Sequence, residues 1–301
     1  MSEAIAHISA RRVWDSRGRP TIEVEVRLAS GATGRAIAPA GASRGSREAI
    51  DLRDGGARFG GMDVQAAIAN VGGPIATALV DRDPFDQPGI DAALVALDGS
   101  PNKARLGGNA TVAVSLAVAH AAAAASGLPL WRHLAGSGPV SLPMPEIQIF
   151  GGGAHAERRI DIQDLMAVPV GAASFAQALE MTAEIYRAAG ELMREQGKLA
   201  GVADEGGWWP AFDSNEEALA TLVAAIDRAG FNAGRDVAIA LDVAASEFGS
   251  GGRYLLGLER RELDTEGMIE LLSGWLDRYP IVSIEDPLAE HDRDGWIAFA
   301  R

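Results

Sequence analysis

An α/β protein in two parts is what the sequence predicts: an N-terminal α+β domain over residues 1–138, then the first part of a β/α barrel over residues 139–301. Three observations predict it. Residues 21–28 alternate, with Ile22, Val24 and Val26 apolar and Glu23, Glu25 and Arg27 charged, and helical patterns come after them. Ala135-Gly136-Ser137-Gly138-Pro139 then breaks the chain. Beyond that break, short apolar runs alternate with amphipathic helical stretches, the rhythm of βα units on a parallel sheet.

Taken in order, the 21–28 strand turns at Ala29-Ser30-Gly31 and returns over 34–39. Residues 110–125, ATVAVSLAVAHAAAAA, are too short and too alanine-rich for a membrane span, which needs about 20 strongly apolar residues, and read as a closely packed buried helix. In the second part, 142–150 and 162–170 are strand-like. Ser174 with Gln177 forms a capping box, and Phe175, Leu179, Thr182, Tyr186 and Met193 fall on one helix face. Ser214 with Glu217 is a second box, Leu219, Leu222, Val223 and Ile226 make its stripe, and Gly230 is placed to end it. An apolar strand over 237–243 reaches Asp242. Met268, Leu271, Leu272 and Trp275 mark a further helix, and a strand over 281–284 runs into Glu285.

Composition narrows the function. Hydrophobic residues at 48% and charged residues at 23% fit a soluble globular protein. A net charge of −14 argues against DNA or RNA as partner, yet leaves room for a small phosphorylated ligand held by local cations or a metal. The absence of cysteine excludes disulfides and Cys-ligated zinc. With no secretory h-region at the start, a cytoplasmic location is expected.

Parallel β/α proteins carry their reactive groups at the C-terminal ends of strands. Asp242 and Glu285 sit there, and Glu205 lies in the glycine-flanked Ala203-Asp204-Glu205-Gly206-Gly207. Carboxylates without cysteine and with little histidine favour a hard cation such as Mg²⁺. From pattern alone, an acidic residue after a strand is more often a helix cap or a loop charge. Trp208 and Trp209, next to the Glu205 loop, read as packing rather than as stacking platforms for bases.

Asp15-Ser16-Arg17-Gly18-Arg19-Pro20-Thr21 resembles the opening signature of the enolases, and Pro39-Ala40-Gly41-Ala42-Ser43-Arg44-Gly45 their mobile loop. Gly152-Gly153-Ala154-His155, Asp161-Ile162-Gln163-Asp164-Leu165-Met166, Asp204-Glu205-Gly206-Gly207, Leu241-Asp242-Val243 and Ser283-Ile284-Glu285-Asp286-Pro287 follow in family order. The resemblance implies an enolase-type barrel and a Mg²⁺-dependent lyase interconverting 2-phosphoglycerate and phosphoenolpyruvate. It implies Asp242 and Glu285 as ligands of a first Mg²⁺, and Ser43 as a ligand of a second. Glu205 becomes the acid at the departing hydroxyl, and Asp164 its support. His155 contacts substrate, as do Gln163, Asp164, Ala42, Ser43 and Arg44. A homodimer acting on a small phosphorylated or phosphonate carboxylic acid, without nucleic acid or membrane, completes the expectation.

Departures from the family cluster where substrate would bind. Arg19, Ala40, Arg44, Gly151, Ala154 and Asp164 stand where enolases usually have Asn, Ser, Thr, Asn, Ser and Glu. They open a second reading, a phosphonate-metabolism enzyme resembling carboxyphosphonoenolpyruvate synthase, in which the Arg44 fork engages an extra anionic group. A third is a catalytically inactive enolase-like protein. Residues 142–301 are also fewer than the roughly 250 of a full barrel, so a truncated chain is expected. The family's third metal carboxylate, catalytic lysine and His-Arg-Ser segment find no counterpart.

Overall fold

The structure, a computed structural model, describes residues 3–41, 43–157 and 159–301. The chain divides into two compact units, one ending at Ser141 and one running Leu142–Arg301.

The first unit opens with an antiparallel meander of β1 (Ile5–Trp14), β2 (Pro20–Leu28) and β3 (Thr33–Ile37). The alternation in β2 works as its pattern requires: Ile22, Val24 and Val26 are wholly buried, while Glu25 and Arg27 face water. Helices α1 (Gln65–Asn70) and α2 (Ala76–Leu79) are joined by a π-helical stretch at Val71–Ile75, and α3 (Gln87–Asp98), α4 (Gly108–Ala125) and α5 (Leu130–Ala135) follow. By length and composition α4 could cross a membrane, but 67% of it is buried inside the protein. Ala113, Ala117 and Ala121 face the meander. Gly34 on β3 completes this contact: a Cβ there would lie 2.2 Å from the Ala121 nitrogen and 2.3 Å from the Ala117 oxygen.

The second unit comprises β4 (Ile147–Gly151), β5 (Asp164–Val168), α6 (Phe175–Glu195), β6 (Leu199–Val202), β7 (Trp208–Pro210), α7 (Asn215–Arg228), β8 (Ala238–Asp242), the small sheet β9 (Gly249–Ser250), β10 (Arg253–Leu256) and β11 (Arg261–Asp264), then α8 (Thr265–Arg278), β12 (Ile281–Glu285) and α9 (Arg293–Phe299). Its main sheet has the order β12-β8-β5-β4-β7-β6 and is not closed into a barrel among the described residues.

The all-parallel sheet expected from the sequence is corrected here. β8 and β12 are parallel, as are β4 and β7, but β5 runs antiparallel to both β4 and β8, and β6 antiparallel to β7. Among its described residues the β4–β5 connection carries one short 3₁₀ turn and no crossover helix, and the chain returns beside itself in the opposite direction.

Both boxed helices start as their sequences specify. The Ser174 hydroxyl accepts from the Gln177 N–H at 3.2 Å and Ser214 from Glu217 at 3.1 Å, while the Gln177 and Glu217 side chains reach back to Ala173 and Asp213. α7 ends at Gly230 (φ +88°), with Phe231 N–H on the Ile226 carbonyl and Gly230 N–H on that of Asp227, a Schellman closure. The α6 face needs correction. Its buried stripe is Ala178, Met181, Thr182, Ile185, Ala189 and Met193, and Phe175 and Leu179 lie on the outer side. Small residues let the helix approach the sheet closely, and this set the stripe rather than the largest side chains.

Candidate active site

The inverted strand explains the site. Gly151 ends β4, Asp164 begins β5, Asp242 ends β8 and Glu285 ends β12, and the pairing is Gly151↔Asp164, Asp164↔Asp242 and Asp242↔Glu285. Directly paired residues share a face, and neighbouring strands are about 4.8 Å apart. Three carboxylates therefore stand in one row along one edge of the sheet. Asp164 joins it because β5 runs backwards, so that its first residue meets its neighbours' last. The turns leaving β8 and β12 hold non-glycine residues in the left-handed region, Ala244 at φ +47° and Asp286 at φ +44°, strain of a kind that gathers at functional sites.

Each carboxylate is held. Asp242 accepts from the Gln163 side-chain amide at 3.1 Å and from the Ala244 N–H at 2.9 Å. Asp164 accepts from the Gln148 amide and lies 3.8 Å from His155 Nε2. Glu205 Oε1 is 3.7 Å from the same nitrogen. His155, Asp164 and Glu205 thus bring one ligand atom each within 4.8 Å of one another. Glu285 is exposed on β12, an edge strand here.

The His155 loop is built for this placement. Gly152 N–H bonds the Gln163 carbonyl at 2.7 Å and Gly153 N–H that of Ile160 at 2.9 Å. A Cβ on Gly152 would sit 2.2 Å from Ile160 Cγ1, so only glycine lets the loop fold back. Buried Asp161 pins its far side, accepting from Gly257 N–H and the Asn215 side chain, both at 2.8 Å, while Asn215 accepts from Asp161 N–H at 2.7 Å. His155 is buried, and its Nδ1 has no hydrogen-bond partner among the described residues. The Glu205 loop is anchored by the Tyr186 hydroxyl, which donates to the Gly206 carbonyl at 2.9 Å. Trp208 stacks on Tyr186 with ring centroids 4.5 Å apart, so its role is packing.

Burial raises the Asp242 carboxyl to about 7, with the charges of Asp164, Glu285 and Asp286 adding to it against the Ala244 hydrogen bond. Burial also raises Asp164; the Gln148 bond and His155 oppose this, and the charges of Glu205 and Glu285 reinforce it. Like charges this crowded call for a cation, and their all-oxygen donor set suits Mg²⁺. Asp242 and Glu285 could hold such an ion, and His155, Asp164 and Glu205 form a second group whose ligand atoms lie close enough for one.

In the first unit, the Arg44 Nη2 lies 3.3 Å from Asp51 Oδ2, an oxygen that also takes Arg53 Nε at 2.6 Å. Pro39, Ala40, Gly41, Arg44, Glu48 and Asp51 line part of a cleft of ≈ 320 Å³. Ser43 lies in a bend of this segment, and Ala42 falls outside the described residues.

Comparison with known families settles the assignment. The sequence model of the enolase N-terminal domain matches residues 5–134, and that of the enolase C-terminal TIM barrel domain matches 139–301. The chain belongs to the enolase family. Enolases are lyase-type enzymes, and the mixed sheet lies in the stretch that the barrel-domain model matches.

Sequence reasoning missed one residue of this enolase site, Gln148. Its signal was a lone amide in the apolar run Ile147-Gln148-Ile149-Phe150, and its partners depend on strand order, which periodicity does not encode.

The raised carboxyls give a signed expectation for stability. Asp242 holds its proton to about 7 when folded, against an ordinary 3.8 when unfolded. Between those values the native state binds more protons, so stability is full below the unfolded value and falls as pH rises through the window. Asp63, Asp98 and Asp292 are lowered, and their contribution changes below the ordinary value, outside that window. With a chelator present, the thermal midpoint should fall between pH 5 and about 7.5, and Mg²⁺ should restore it at the upper pH but not at the lower. A midpoint flat across that range would remove the crowded row.

Proposed function

We propose that this protein acts as an enolase in the strict sense, the Mg²⁺-dependent reversible dehydration of 2-phosphoglycerate to phosphoenolpyruvate. The observation that carries this reading is the register row Asp164–Asp242–Glu285 with Glu205 and His155 beside it. Asp242 and Glu285 would hold Mg²⁺, which supplies positive charge against the enolate that forms when the substrate loses its C2 proton. Gln163 orients Asp242 through its amide. Glu205, half-exposed and next to His155, is placed to give a proton to the departing C3 hydroxyl, which leaves as water while the C2–C3 double bond forms. His155 and Asp164 flank that acid, and the buried loop beneath them keeps water from one side. Ser43 is the proposed oxygen ligand of a second ion.

The C2 proton needs a base, a lysine or histidine in this superfamily. Lys198 is engaged by Asp213 at 2.8 Å and by Glu217. The 301-residue chain is therefore tested by binding. Calorimetry should show 2-phosphoglycerate bound in Mg²⁺ and not in chelator; equal binding in both, or none in either, would sink the proposal. Arg44 shares Asp51 with Arg53 rather than presenting an unoffset cation, which weakens the part of the phosphonate reading that rests on Arg44.

A further inference from the structure

We infer that Gln148 is a positioning residue that ties the Glu205 loop to the Asp164 carboxylate, so that the proton donor and the carboxylate row keep a fixed relation. The roles named for those two groups rest on the proposed function; the tie itself does not.

Strand order makes the connection possible. β4 lies between β5 and β7, so a side chain on β4 can reach both. Gln148 pairs across from Met166, and Asp164 is two residues from Met166 on the same face of β5, a diagonal neighbour within reach of a long side chain. On the other side Phe150 pairs with Trp208, which places Gly207 beside the same stretch of β4. Gln148 uses both ends of its amide. Oε1 accepts from the Gly207 N–H at 2.8 Å, and Nε2 donates to Asp164 Oδ1.

The geometry permits one amide orientation. Turning the amide over would set its NH₂ against the Gly207 N–H and its oxygen against a carboxylate, losing both bonds. Asp164 Oδ1 is thereby kept an acceptor, and Oδ2 is the oxygen left facing His155 Nε2. The fit also explains Gly207. A Cβ there would lie 2.4 Å from Gln148 Oε1, so a side chain would push the amide off its partner. The second tether of the loop, Tyr186 to the Gly206 carbonyl, makes no contact with Asp164. Among the described residues, the side-chain hydrogen bonds of Gln148 join Asp164 to the Glu205 loop, while His155 lies near the Asp164 and Glu205 carboxylates at 3.8 and 3.7 Å.

Amide hydrogen exchange at Gly207 in the 301-residue chain, with chelator present, tests this without activity or metal. Gln148→Met keeps the length and removes both bonds. Gly207 exchange should quicken about tenfold, the scale of one lost hydrogen bond, while α7 amides stay as in wild type. Asp164→Ala should quicken Gly207 exchange in wild type and add nothing in the Gln148→Met background, a coupling that a space-filling side chain would not produce. If Gln148→Met does not fold, Gln148→Asn serves, since its amide is one methylene too short to reach both partners. Unchanged Gly207 exchange in the Gln148 variant, or an equal effect of Asp164→Ala in both backgrounds, would overturn the inference. Either result would leave Mg²⁺ and 2-phosphoglycerate binding as separate questions.

Discussion

Gly34→Ala should destabilise the N-terminal unit by about 3 kcal/mol, at the upper end of overpacking costs. The added Cβ would fall 2.2 Å from the Ala121 nitrogen, 2.3 Å from the Ala117 oxygen and 2.7 Å from the His120 carbonyl carbon. All three atoms belong to the α4 backbone, which cannot step aside as a flexible side chain would. Relief requires the helix to lift from β3, opening the contact that buries Ala117 and Ala121. Gly72→Ala is the control, because nothing lies within 4 Å of its added Cβ and its backbone is not left-handed. Urea unfolding should separate the two. A Gly34→Ala protein within about 0.5 kcal/mol of wild type would mean that α4 does not rest on β3.

The sequence made α4 and β2 legible for concrete reasons. Sixteen residues of mostly alanine suit a helix that packs backbone-close, and strict alternation suits a sheet with one wet face. Ser174, Ser214 and Gly230 marked helix ends through local bonds, which depend on neighbours only a few residues away. Strand direction is different. Nothing in the pattern around 162–170 distinguishes a parallel strand from the reversed β5, because period two is the same in both. The row Asp164–Asp242–Glu285 needs that reversal and the register of three strands, and pattern reading specifies neither. Resemblance to the enolases singled out His155 and Asp164, whereas the glycine-flanked loop had already marked Glu205. Phe175 and Leu179 misled the α6 reading because the largest side chains were taken for the core face, where alanines and Ile185 in fact meet the sheet.

Asp242→Ala should weaken Mg²⁺ binding by at least a hundredfold, about 2.7 kcal/mol. Asp242 is the middle member of the row, flanked in register by Asp164 and Glu285 and held by Gln163 and Ala244. Removing it takes away one proposed ligand and leaves Glu285 alone on the edge strand. It also removes the carboxylate that the charges of Asp164, Glu285 and Asp286 crowd, so the need for a cation falls as its ligand is lost.

Titration calorimetry of Mg²⁺ into the wild-type, Asp242→Ala and His155→Ala chains tests the central claim most directly, since the two variants separate the row from the His155–Asp164–Glu205 cluster. The account predicts a tight wild-type site that is lost in Asp242→Ala and retained in His155→Ala. Unchanged affinity in Asp242→Ala, with binding lost in His155→Ala, would contradict it.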